Sequence, residues 1–137
     1  MSWDADLYGS IDGHRVHLGE WSYTHNCNRM ANAVLTGCEL RDGARRWWSS
    51  LDRLDVVSKV DAGTVTGSWW ECLHGRTGQA GADLLTRIVN GLTADPARFR
   101  AMDPPNGYGD YHSFLQVLRD MRDMSVRFPS GCWETSG

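Results

Sequence analysis

The N-terminal stretch Ser2-Trp3-Asp4-Ala5-Asp6-Leu7-Tyr8 alternates between apolar and polar side chains. Its period of two places Trp3, Ala5 and Leu7 on one face, as in a half-buried β-strand. Turn-forming residues occupy 9–13, and a second strand is expected over about 14–24. These residues predict an N-terminal β-hairpin.

The apolar positions of the second strand change parity midway. Val16 and Leu18 share one face, whereas Trp21 and Tyr23 share the other. A β-bulge near Gly19-Glu20 reconciles the two halves, because glycine tolerates the bulged backbone.

After the second strand the apolar period changes to that of an α-helix. The repeating apolar positions are Cys27, Met30, Ala31, Val34, Leu35 and Cys38. They predict an amphipathic helix over 26–38 with Asn26 as its N-cap. Such a helix separates the first and last of these cysteines by about 16 Å, which is too far for a disulfide.

Three further helices are expected in the C-terminal half. Thr77 is predicted to cap a helix over 78–92, Asp95 a short helix, and Asp110 the last helix. The last helix has a buried stripe at Tyr111, Phe114, Leu115, Leu118 and Met121. Residues 130–137 are predicted to form a loose tail. The whole chain, 1–137, is therefore predicted to be one α+β domain, a hairpin packed on a small helical bundle.

Two tryptophan pairs share the pattern W-W-x-x-L, at Trp47-Trp48 and at Trp69-Trp70. Both are interpreted as short helical turns. Each pair could place one indole inward and one outward, or the tryptophans could all serve to fill the core of a small domain. An outward indole suits ligand stacking or a protein interface. Residues 41–68 otherwise carry little periodic signal.

Composition excludes several classes of function. The net charge is −3 with no basic stripe, which argues against nucleic-acid binding. No apolar run approaches the roughly 18 residues of a membrane span. The N-terminus lacks an export signal, so a cytoplasmic location is expected. The four cysteines have no zinc-type spacing, which predicts reduced thiols and no metal.

Several blocks resemble a known family when taken as a set. They are Trp3-Asp4-x-Asp6-Leu7, Glu20-Trp21-x-Tyr23-Thr24-His25-Asn26, the pattern W-W-x-x-L-x-G-x-T-G at 69–78, and a fourth block that runs from Ala94-Asp95-Pro96 to Tyr108-Gly109-Asp110-Tyr111. The chain is similar to small proteins encoded by actinobacterial phages and their high-GC hosts. The resemblance omits about 41–66, which looks like a variable insert. It implies a bacterial host cytoplasm and an accessory role, and it implies no catalytic residues.

Polar and aromatic residues gather where helices begin. Free amide groups at a helix N-terminus suit a phosphate or carboxylate, and aromatic rings can stack on a base. The candidate ligand-binding residues are Tyr23, His25, Asn26, Asn28, Arg29, Trp69, Trp70, Arg76, Thr77, Asn106, Tyr108, Asp110 and Tyr111. Each also has a structural alternative, such as capping for Asp110 and core packing for Tyr111.

A metal or acid/base site can also be drawn from Asp4, Asp6, His14, His17 and His25. Their spacing matches no ligand motif, so the two aspartates are interpreted as solvent-facing residues of an edge strand.

The sequence thus predicts a cofactor-free protein that sequesters a nucleotide-like metabolite or immune signal, with phage counter-defence as its setting. It leaves two alternatives open, a nucleotide hydrolase using Asp and His residues and an interaction module that inhibits a host enzyme. Self-association is also left open.

Overall fold

The computed structural model describes residues 2–36 and 69–137, so Cys38 and Trp47-Trp48 lie outside the described residues. The described part is an α+β fold in which the N-terminal hairpin packs against helices, as predicted. In chain order the elements are β1 Ser2–Ile11, β2 His14–Thr24, a 3₁₀ turn His25–Cys27, α1 Asn28–Thr36, α2 Trp69–Leu73, α3 Gly78–Ala94, α4 Pro96–Arg100, α5 Tyr111–Arg127 and β3 Cys132–Ser136.

The three strands form one antiparallel sheet in the order β2-β1-β3. Trp3, Ala5 and Leu7 are fully buried on its inner face, which confirms the alternation in the sequence. The strand β1 lies at the centre of the sheet, so the interpretation of Asp4 and Asp6 as edge-strand residues is wrong.

A β-bulge interrupts the pairing of β1 with β2, one residue earlier than predicted. Leu7 pairs with Gly19 and Tyr8 pairs with His17, which leaves Leu18 as the extra residue. Because Tyr8 belongs to the outer face, the bulge brings His17 onto that face as well.

The predicted loose tail is wrong, because Cys132–Ser136 forms β3 and pairs with β1. Trp133, the second residue of this strand, is fully buried, and its indole N–H donates to Ser125 Oγ over 3.0 Å. Gly81 makes room for the indole, since a Cβ there would lie 2.5 Å from Trp133 Nε1. Burial of this one large side chain orders the C-terminal segment.

Helix caps follow the sequence closely, with one exception. The side chains of Thr77, Asp95 and Asp110 each accept a backbone N–H in the first turn of α3, α4 and α5, as predicted. At α1 the predicted cap Asn26 is wrong, because Thr24 Oγ1 accepts the Asn26 N–H and caps the 3₁₀ turn that leads into the helix.

The core lies between the inner face of the sheet and the helices. Trp3 and Trp69 meet edge to face there, with ring centroids 4.8 Å apart. Trp70 is buried too, so at this pair the core-filling alternative holds and the alternative with one outward indole is wrong. The helix α2 has five residues, less than one and a half turns, and packs against both β3 and α1. No described helix is long and apolar enough to cross a membrane.

Candidate functional site

Two segments that hold many of the candidate ligand-binding residues, 23–29 and 104–111, touch each other. The Asn26 side-chain amide donates to the Tyr108 carbonyl over 3.2 Å. The Tyr23 hydroxyl accepts the Asp110 N–H over 3.0 Å and lies 2.6 Å from Ser113 Oγ. Segments about 85 positions apart in the chain therefore build one surface, here called the corner site and defined by Tyr23, Asn26, Arg29, Asn106, Tyr108 and Asp110.

The loop before α5 is shaped to display the Tyr108 ring. Asn106 Oδ1 accepts the Tyr108 N–H over 3.0 Å, a local turn that asparagine favours. Gly107 and Gly109 flank the tyrosine with φ values of 75° and 86°. Tyr108 is 72% exposed, so its ring is held in solvent by a structured loop.

Arg29 supplies positive charge at the corner site. Its guanidinium donates to the Met102 carbonyl, where the same loop begins. Its Nε is buried and has no hydrogen-bond partner among the described residues, and no described carboxylate forms an ion pair with it. A buried donor without an acceptor costs about 1–3 kcal/mol.

Three titratable groups in or beside the corner site have shifted pKa values. Hydrogen bonding from the Ser113 backbone N–H lowers the pKa of Asp110, so this cap is charged at neutral pH. Burial raises the pKa of Tyr23, and it raises the pKa of Cys27 to about 11. The Cys27 thiol is therefore protonated at neutral pH and is a poor nucleophile.

Burial predicts which cysteines react. Iodoacetamide at neutral pH should label exposed Cys132 in the folded protein and leave buried Cys27 and Cys72 unlabelled. Peptide mass spectrometry reads out each residue, and unfolding in guanidinium should expose all four cysteines to the reagent. Labelling of Cys27 as fast as Cys132 would show that the α1 junction opens readily.

His25, Asn28 and Trp69 have roles inside the protein. The Asn28 amide lies 2.9 Å from His25 Nδ1, and Asn28 Oδ1 accepts the Trp69 indole N–H over 2.9 Å. The His25 ring packs edge-on against Trp70 with centroids 5.9 Å apart. Tyr111 is also structural, since it is buried and its hydroxyl donates to the Leu92 carbonyl over 2.8 Å.

The start of α3 already uses its amide groups. The Gly78 and Gln79 N–H groups donate to the Gly131 and Pro129 carbonyls, and the Ala80 N–H donates to Thr77 Oγ1. The Arg76 guanidinium donates to the Cys72 carbonyl over 2.6 Å. These amides are not available to a ligand, so we leave Arg76 and Thr77 out of the corner site.

A second feature, on the outer face of the sheet, escaped the sequence reasoning. A cavity of about 480 Å³ is lined by Asp4, Asp6, Glu20, Trp21, Ser22 and Ser136. The lining residues come from all three strands. Their proximity depends on the register of the sheet, and no local sequence pattern reveals that register. The alternation of Asp4 and Asp6 was the only part of it that the sequence displayed.

No protein-family model matches this chain, and no curated protein or solved structure matches it. The resemblance to actinobacterial phage proteins stays a prediction.

Proposed function

We propose that this protein binds a small, anionic, nucleotide-like ligand at the corner site without chemically changing it. The proposal rests on one observation, which is that two ligand-type groups lie along the same loop, Tyr108 within it and Arg29 bonded to the Met102 carbonyl at its start. Tyr108 offers an exposed ring, and Arg29 offers a guanidinium that is short of acceptors. An aromatic face and a cation are the two elements that a base and a phosphate require.

Tyr108 and Arg29 contact different parts of the ligand. A flat base stacks on the phenol of Tyr108, because every base has a π-face and an exposed ring can receive it. The ligand's phosphate or carboxylate lies on the Arg29 side, where the only described partner of the guanidinium is a backbone carbonyl. Asn26 and Asn106 are already bonded to the loop and hold the Tyr108 backbone in place.

Binding is favoured over turnover because the reactive groups nearby have other roles. Asp110 is a helix cap, Cys27 is a protonated thiol, and His25 bonds to Asn28. A hydrolase that pairs Asp6 with His25 is not supported, since the carboxylate of Asp6 bonds to His17.

The cellular role that we propose is sequestration of a metabolite or immune signal in a bacterial cytoplasm, as in phage counter-defence. This part rests on the family resemblance and on a binding site without catalytic groups. The interaction-module alternative relied on outward indoles, and at Trp69-Trp70 both indoles are buried. We keep that alternative as an outcome of the binding test.

Calorimetry with cyclic nucleotides and ADP-ribose-type nucleotides tests the proposal. Tyr108→Ala removes the stacking face and Arg29→Gln removes the cation, and each should weaken binding about ten- to a hundredfold. The thermal midpoint of Tyr108→Ala should be almost unchanged, because exposed side chains contribute little to stability.

Two control variants make the test specific. Tyr108→Phe keeps the ring and should bind nearly as the wild type does. Arg127→Gln removes an exposed arginine far along α5 and should leave the affinity unchanged. If no nucleotide of the panel binds more tightly than about 100 μM, the proposal fails and the interaction-module alternative gains.

A further inference from the structure

The outer face of the sheet carries three carboxylates side by side. Asp6 on the central strand β1 pairs directly with Glu20 on β2 and with Glu134 on β3. Residues directly opposite each other on one face have Cβ atoms about 4.5–5.5 Å apart, and like charges in such pairs are destabilising. This row therefore requires positive charge from another source.

The nearby arginine compensates only one end of the row. Arg15 pairs with Glu134 over 2.5 Å, and its guanidinium lies 3.6 Å from the centroid of the Tyr8 ring. Among the described residues Glu20 has no hydrogen-bond or ion-pair partner, and Asp6 has His17 alone. Two carboxylates are left to share one imidazole.

The β-bulge at Leu18 is what brings that imidazole to the outer face. His17 Nε2 lies 2.8 Å from Asp6 Oδ1, and one ligand atom from each of Asp6, His17 and Glu20 lies within 4.8 Å of the others. Asp6 and Glu20 also line the 480 Å³ cavity, so small molecules can approach the group.

We propose that Asp6, His17 and Glu20 form a binding site for a divalent transition-metal ion, with zinc as the best match. One imidazole nitrogen and two carboxylate oxygens are a zinc-type donor set, whereas magnesium and calcium prefer oxygen donors alone. Three protein ligands on an open face leave further coordination positions for water or a small ligand from the cavity. The ion would also neutralise the repulsion between the paired carboxylates.

The test is calorimetric titration of untagged protein with zinc chloride, together with thermal unfolding in zinc and in EDTA. The wild type should bind one zinc ion at this site, and zinc should raise its thermal midpoint because the ion binds only the folded state. His17→Ala and Glu20→Gln should each lose affinity by more than the roughly 10- to 100-fold that loss of a second-shell partner causes.

Matched controls separate the site from the general acidity of the face. Asp4 lines the same cavity but lies outside the group of three ligands, so Asp4→Asn is the first control. The second is Cys132→Ser, which removes an exposed thiol on the same face. Both should bind zinc as the wild type does. Glu20→Gln should be more heat-stable than the wild type in EDTA and less stable than it in zinc, an inversion that a purely structural role would not give.

Two results would overturn the proposal. One is the absence of zinc binding by the wild type up to about millimolar zinc, a range that corresponds to only about −4 kcal/mol of binding free energy. The other is unchanged binding in Glu20→Gln and His17→Ala. In either case the contact between Asp6 and His17 is only a surface hydrogen bond.

Discussion

Replacing Trp133 with alanine is expected to lower the free energy of unfolding by about 3–5 kcal/mol. The side chain is fully buried between the sheet and the helices and packs against Trp21 with centroids 5.4 Å apart. Its loss also leaves Ser125 Oγ without the indole donor and opens a cavity against Gly81. Urea denaturation followed by circular dichroism measures the change.

The neighbours of Trp133 on the same strand provide the control. Cys132 and Glu134 are exposed, and replacing either with alanine should change the unfolding free energy by no more than about 0.5 kcal/mol. A loss below about 1 kcal/mol for Trp133→Ala would mean that β3 is not part of the folded sheet. The loose tail predicted from the sequence would then be the better description.

Substituting Gly109 with alanine is expected to pull apart the two halves of the corner site. With φ at 86°, an alanine there carries about 1–2 kcal/mol of backbone strain. Its Cβ would also lie 2.6 Å from Thr24 Cγ2 and 3.1 Å from the Tyr23 hydroxyl oxygen. The added crowding costs about 1–3 kcal/mol more, so a total loss of about 2–5 kcal/mol is expected, with weaker ligand binding.

Gly107 is a closely matched control for this substitution. It lies two residues away in the same loop with φ at 75°, and a Cβ there would meet no atom within 4 Å. Gly107→Ala should therefore cost only the strain, about 1–2 kcal/mol. Equal losses for the two variants, measured by thermal unfolding, would contradict the close contact of the loop with β2.

Local signals in the sequence were sufficient for much of the fold. The alternation over residues 2–8 specifies a strand with one buried face whatever lies beyond it. The caps at Thr77, Asp95 and Asp110 satisfy amides within three residues of themselves, so each can be recognised without tertiary information. These features explain why the hairpin and the helices of the C-terminal half were predictable.

The larger errors come from contacts between residues that are distant in the chain. The strand β3 has only five residues, and its partner β1 lies at the other end of the chain. The burial of Trp69 depends on hydrogen bonds to Asn28 and Asn32, about 40 residues earlier. From the sequence alone, the short polar segment of β3 with its one tryptophan resembles a loose tail, because its partner strand β1 is far away in the chain.

The candidate site shows the same division. Tyr108 and Arg29 were both candidate ligand-binding residues in the sequence, because polar and aromatic residues gather where helices begin. Sequence reasoning missed Ser113, whose hydroxyl meets Tyr23 only because α5 packs beside β2. It placed Asp6 and His17 together in one possible metal set but left out Glu20, because the position of the bulge decides which residues of β2 share the face of Asp6.

Backbone amide NMR during a nucleotide titration tests the central claim most directly, since it reports where the ligand lies. With ¹⁵N-labelled protein and the tightest-binding nucleotide of the panel, the shifted amides should cluster at residues 23–29 and 102–113. Amides of Asp4, Asp6 and Glu134 on the outer face of the sheet should not move. Shifts confined to the sheet, or scattered without a cluster at the corner site, would contradict nucleotide binding at the corner site.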